Sequence, residues 1–130
     1  MKPIDKDTIV KNIELILNTI TAFNGIDITR CMDYLDEIVA LQALSTETLA
    51  SATYWHLEAI DNELDRQALL LKEDRIAPSI KKMRADAKCR ELKYILTVCE
   101  RNCSTISHTI DACRTKISYY KIELNNNKQL

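Results

Sequence analysis

The chain is almost bare of turn residues: one glycine and two prolines stand among 130 positions. β-Hairpins take their tight turns from residues that tolerate positive φ, chiefly glycine, so a sheet protein of this length has little to turn with. The solitary Gly25 also excludes a glycine-rich phosphate loop. No stretch of eighteen uninterrupted apolar residues occurs, which argues against a membrane span. The opening MKPIDKDTIVKN lacks both an apolar core behind its basic residues and a small-residue cleavage site, so no signal peptide is expected. Five cysteines, an odd number in a chain without an export signal, point to free thiols in a reducing cytoplasm.

What is present is the balance of a folded domain, 46% hydrophobic and 28% charged. The length suits one domain over 1–130 with a real core. The expected architecture is therefore all-α: an antiparallel bundle of three to four helices joined by few connections, closing on a long C-terminal helix. Net charge is −1, but residues 1–71 hold 5 Lys/Arg against 12 Asp/Glu, and residues 72–130 hold 13 against 7. Acidic helices over about 5–76 are thus followed by a basic one over about 79–124. Such asymmetry implies either that the halves attract one another or that the basic half meets an anion.

Ile9, Ile13, Ile16, Ile20 and Phe23 step by three and four, marking one face of a first helix, with Leu15 and Leu17 widening it. Asn24–Gly25 ends it, and Asp27 or Thr29 caps a second helix through Cys31, Leu35 and Ile38 that fades near Leu44. Ser45 and Thr46 offer a new N-cap, with Glu47 in the first turn of a third helix. Its seam reads Thr53, Leu57, Ile60, Leu64, Ala68 and Leu71. Pro78 sets a corner, because proline disfavours helix in the residue before it and suits a first helical turn. From about Ser79 no breaker follows, only a polar patch at Asn102, Ser104 and Thr105, and the NNNKQL tail is expected to fray. A helix of that length would run roughly 70 Å and calls for a coiled coil, a kink or a partner chain.

CRELKYILTVCERNCSTISHTIDAC, residues 89–113, holds four of the five cysteines. All four lie on a seam that runs through Ala85, Leu92, Ile95, Ile106, Ile110, Ile117, Tyr120 and Leu124. Cysteine packs as a small hydrophobe, so core packing is the expected role. Zinc would need two ligands beyond the Cys99–Cys103 pair. His108 points off the seam, His56 lies on another helix, and no CxxC spacing occurs. Disulfides within one helix are geometrically poor at these spacings.

The stretch KKMRADAKCRELK, residues 81–93, concentrates Lys81, Lys82, Arg84, Lys88, Arg90 and Lys93. Such a row is either a solvated helix face or a track for phosphates, bound without sequence reading and with a steep salt dependence. Tyr54 and Trp55 can stack on bases or pack against a neighbouring helix or subunit. Glu58, Asp61, Asn62, Glu63 and Asp65 read as the solvated face of an acidic helix, since a di-metal site would ask for a Glu-x-x-His pair and His56 stands at the wrong spacing. No motif for a nucleophile, metal or cofactor is found, so a non-enzyme with no cofactor is expected.

The stretch from APSIKKMRADAK to IDACRTKISYYKIE resembles the C-terminal helix of the UvsY-type recombination mediators of tailed phages, with ADAK at 85–88 and SHTIDACRTK at 107–116 as the nearest segments. It covers about 45 residues; the first 70 carry no match. The resemblance implies a small helical homo-oligomer in the host cytoplasm that binds single-stranded DNA and helps load a RecA-like recombinase. The cations of 81–93 would then touch phosphate. The alternative is a structural or adaptor module, such as a virion component, without nucleic-acid binding.

Overall fold

The computed structural model describes residues 2–22, 28–71 and 76–128. They form four helices, α1 (Lys6–Ala22), α2 (Ile28–Leu71), α3 (Pro78–Lys88) and α4 (Arg90–Lys128), with no strand among them. The all-α bundle with a long last helix is thus the observed architecture.

Asp5 starts α1: its Oδ1 accepts the Thr8 N–H at 2.8 Å and its carbonyl accepts the Ile9 N–H at 3.0 Å. Hydrogen bonds from Thr8, its backbone N–H first, hold the Asp5 carboxyl below the usual aspartate range. Ile9 and Ile16 are buried, with Ile13 and Ile20 half-buried beside them. Leu15 and Leu17, expected to widen this face, are exposed instead. Phe23, Asn24, Gly25 and Asp27 lie outside the described residues, and Thr29 stands inside α2 rather than capping it.

The break expected at Ser45–Thr46 does not occur; α2 runs unbroken for 44 residues. The hydroxyls that suggested a cap are used within the helix. Ser45 Oγ and Thr46 Oγ1 both donate to the Gln42 carbonyl at 2.9 Å, and Thr48 Oγ1 donates to that of Leu44 at 2.7 Å. The seam that faded near Leu44 has become small and polar, through Ser45, Thr48, Ser51 and Ala52, all buried. Its phase also differs from the expected one. Leu57 is 56% exposed and Ala68 is exposed, while Trp55 and Ile60 are half-buried and Gln67 is buried.

Ala77 is extended (φ −58°, ψ 139°), as proline after it requires, and Pro78 opens α3. The basic helix, expected unbroken, is divided at Cys89 (φ −100°, ψ 21°). The division is a kink, because the Cys89 N–H still donates to the Ala85 carbonyl and its own carbonyl accepts from Lys93, both at 3.0 Å. The polar patch at 102–105 does not break α4; Asn102 turns inward and is buried. The tail, expected to fray, stays helical through Lys128.

α2 runs antiparallel to both α1 and α4. Cys103 Sγ reaches the Ser45 carbonyl at 3.4 Å, and Asn12 Nδ2 donates to Thr48 Oγ1 at 3.2 Å. The core falls into two clusters. Ile16, Cys31, Ile38, Leu41, Ile106, Ile110 and Cys113 pack toward one end, and Ile9, Ala52, Leu96 and Cys99 toward the other. Between them lies a polar layer of Asn12, Ser45, Thr48 and Asn102.

Candidate nucleic-acid interface

Ala85 is fully buried and sets the inner face of α3. At about 100° per residue, Lys81, Arg84 and Lys88 then share one flank and Lys82 takes the other. Arg90 and Lys93 follow the kink on α4. Five of the six cations are exposed and Lys81 is half-buried. The structure therefore keeps the expected row on one end of the molecule, divided between two helices rather than carried by one.

The face opposite Ala85 holds two residues absent from the sequence expectation. Met83 and Tyr94 are each 69% exposed, and Ile80 is exposed nearby. Met83, Ala87, Arg90 and Tyr94 step by four, three and four, so the outward face was legible had the helix been read for the side away from its seam. Cations flanking an exposed aromatic ring are the elements of a single-strand surface: the charges meet phosphates and the ring stacks on a base.

The acidic end of α2 stands beside this row. Arg66 grips Glu63 through both carboxylate oxygens, Nη2 to Oε1 at 2.7 Å and Nε to Oε2 at 3.0 Å. Gln67 Nε2 adds a longer bond of 3.4 Å. The Glu63 carboxyl is lowered to about 2, chiefly by the Arg66 hydrogen bond, with Lys88 adding a small part of the positive field. Lys88 is thus the cation of the row that already faces an internal carboxylate. Glu58 and Glu63, expected on a solvated face, are both half-buried, and Glu58 Oε2 is buried without a partner; Asp61, Asn62 and Asp65 are exposed. Among the described residues no three His, Cys, Asp or Glu side chains converge in a way that could hold a metal ion.

Trp55 is a structural residue. Its Nε1 donates to the Ile4 carbonyl at 2.7 Å, and the Ile4 N–H donates to Ser51 Oγ at 3.1 Å, which straps the N-terminal segment along α2. Tyr54 meets the Trp55 ring edge-on at 5.2 Å, and Lys6 Nζ lies 5.5 Å from its centroid. Cys31, Cys89, Cys99 and Cys113 are buried and Cys103 is half-buried, and none of the five is in a disulfide. Burial pushes the Cys99 and Cys113 thiols up to about 11, with Cys103 and Cys31 as their respective neighbours adding to the shift. Such thiols stay protonated and serve as packing. His108 is exposed.

Among the described residues no helix is long and apolar enough to cross a membrane. No family model matches the chain, and neither a curated protein nor a solved structure is significantly similar to it.

Proposed function

We propose that this chain is a non-enzymatic accessory protein that binds single-stranded DNA as a homo-oligomer in the cytoplasm, in the manner of a recombination mediator that helps a recombinase onto DNA. The observation that carries the reading is the cationic end formed by Lys81, Lys82, Arg84, Lys88, Arg90 and Lys93 around the exposed Met83 and Tyr94. Phosphate neutralisation supplies affinity without base reading, and a ring on the same face supplies stacking. The resemblance of the C-terminal stretch to UvsY-type mediators supports the same reading.

Fluorescence anisotropy of a labelled single-stranded oligonucleotide, titrated at several salt concentrations, tests it. Binding is expected to weaken steeply with salt. Reversing Lys82, Arg84, Arg90 and Lys93 to Glu is expected to abolish it, and Tyr94→Ala to weaken it about tenfold, in line with about 1–3 kcal/mol per stacked base. A charge-reversed protein that binds as well as the parent refutes the interface. The second reading, a structural or adaptor module without DNA affinity, is favoured by the acidic and apolar outer face of α2; oligomers that ignore the oligonucleotide would support it.

A further inference from the structure

Two apolar surfaces of this molecule lie uncovered, and they match. The first is the outer face of α2, turned away from α1 and α4. Met32, Val39, Ala43, Ala50, Tyr54 and Leu57 recur there at steps of three, four and seven, and all are exposed. Asp36, Glu47, Asp61 and Asp65 share the same stripe, and no basic residue of α2 does. Its middle is a groove of about 1010 Å³ floored by Val39, Ala43, Thr46, Ala50 and Tyr54, with Lys2 and Pro3 on one lip and Glu47 as its carboxylate. The small side chains of Ala43 and Ala50 let another backbone come close.

The second surface is the end of α4. Past Cys113 the core seam continues through Ile117, Tyr120 and Leu124, but only Ile117 is half-buried; the other two are each 40% exposed. Arg114, Lys121 and Lys128 lie along one flank of this stripe, and Lys116 and Glu123 along the other, so cations outnumber the single carboxylate around it. The overhang does not reach the groove on its own α2, because it continues a helix that runs antiparallel to α2 and past its start. Residues 114–128 span about 22 Å, the same length as Val39 to Tyr54 on α2.

We infer that the cationic overhang of α4 in one copy of this chain docks into the groove on the acidic outer face of α2 of a second copy. Ile117, Tyr120 and Leu124 fill the groove over Ala43 and Ala50, with Lys121 beside Glu47 and an end cation of the overhang toward Asp36. Pairing of two overhangs, or of two grooves, would set like charges against each other. The contact is heterologous, so it propagates into a closed ring or an open filament. It deepens the homo-oligomer part of the proposed function and is independent of whether DNA binds.

Complementation tests it, read by sedimentation velocity at low and high salt. The parent is expected to assemble at low salt and to dissociate as salt screens the charges. A groove-blocked variant, Ala43→Arg with Ala50→Arg, and a tail-blocked variant, Tyr120→Asp with Leu124→Asp, are each expected to self-associate at least tenfold more weakly. All four positions are exposed, so helix content and melting should match the parent. Mixed one to one, the two variants are expected to form a dimer and nothing larger, because only one intact tail and one intact groove can meet. If the groove-blocked variant assembles like the parent while the tail-blocked one does not, the tails pair elsewhere and the inference fails. If both variants assemble like the parent, the contact is wrong and the homo-oligomer stands. A parent that is monomeric at every concentration removes both.

Discussion

Residues 92–113 and 114–128 belong to one helix and carry one seam, yet they stand in different surroundings. The first stretch lies under α1 and α2, and its Ile106 is fully buried. The second, past the half-buried Ile117, is exposed among the described residues, and its Leu124 is 40% exposed. The same residue types at the same spacing therefore do different work. In the first they hold the fold; in the second they are available to another molecule. The difference is one of length. α4 runs on past the end of α1 and the start of α2, and a helix that outruns its partners leaves its apolar stripe in water.

The sharpest way to break this comparison is to place the same charge on both halves. Ile106→Asp puts a carboxylate among Ile16, Ile38, Leu41 and Ile110 with no cation to meet it. A buried, unpaired charge of that kind costs more than about 4 kcal/mol, a large part of the total stability of a domain this size. The expected outcome is loss of cooperative unfolding in a urea titration followed by circular dichroism. Leu124→Asp changes a surface position, and the monomer's stability is expected to stay within about 0.5 kcal/mol of the parent. Equal damage from the two substitutions would mean that the overhang is covered within its own chain.

The uneven legibility of the chain has the same physical root. Scarce glycine and proline, the corner at Pro78 and the apolar steps of α1 and α4 were readable, because each rests on a local rule. The continuity of α2 was not readable. Ser45 and Thr46 look like a cap in sequence, and only the bundle shows their hydroxyls bonded back to Gln42 while Ser45 and Thr48 pack against α4. Tertiary packing likewise chose the α2 phase, burying Ser51 and Ala52 and leaving Leu57 outside. The kink at Cys89 keeps both of its backbone bonds and so leaves no sequence trace. At the candidate interface the cations were legible as a cluster. Tyr94 and Met83 were not, because attention to a seam passes over the residues opposite it.

The cysteines give a second, gentler way to separate the two halves, since all lie outside the overhang. Cys99 and Cys113 sit at about 11 in the folded protein against an ordinary value of 9.0. Burial, the first cause in both, favours the thiol over the thiolate. The folded-state value is raised, so the stabilisation is fully present below about pH 9 and is lost as pH climbs from there through about 11. The melting temperature is expected to fall between pH 8.5 and pH 11, and the fall should shrink in the double variant Cys99→Ala, Cys113→Ala. An equal fall in that variant would assign the alkaline loss to other groups. The far end of α4 should lose no stability by this route, because it carries no thiol.

The smallest expected effect lies between the two core clusters. Asn102 is buried, and its Nδ2 has no hydrogen-bond partner, although Ser45 and Thr48 line the same small void. An unmade bond of this kind costs about 1–3 kcal/mol, and an apolar side chain of similar size removes that cost. Asn102→Leu is therefore expected to raise stability by about 1 kcal/mol, measured as a higher urea midpoint at unchanged slope. A lower midpoint would mean that the amide has a partner in solution, such as a trapped water held with Ser45 and Thr48. A higher midpoint with a changed slope would point to a second role. The polar layer would then fix the register of α4 against α2, and so decide how far the overhang reaches beyond the bundle.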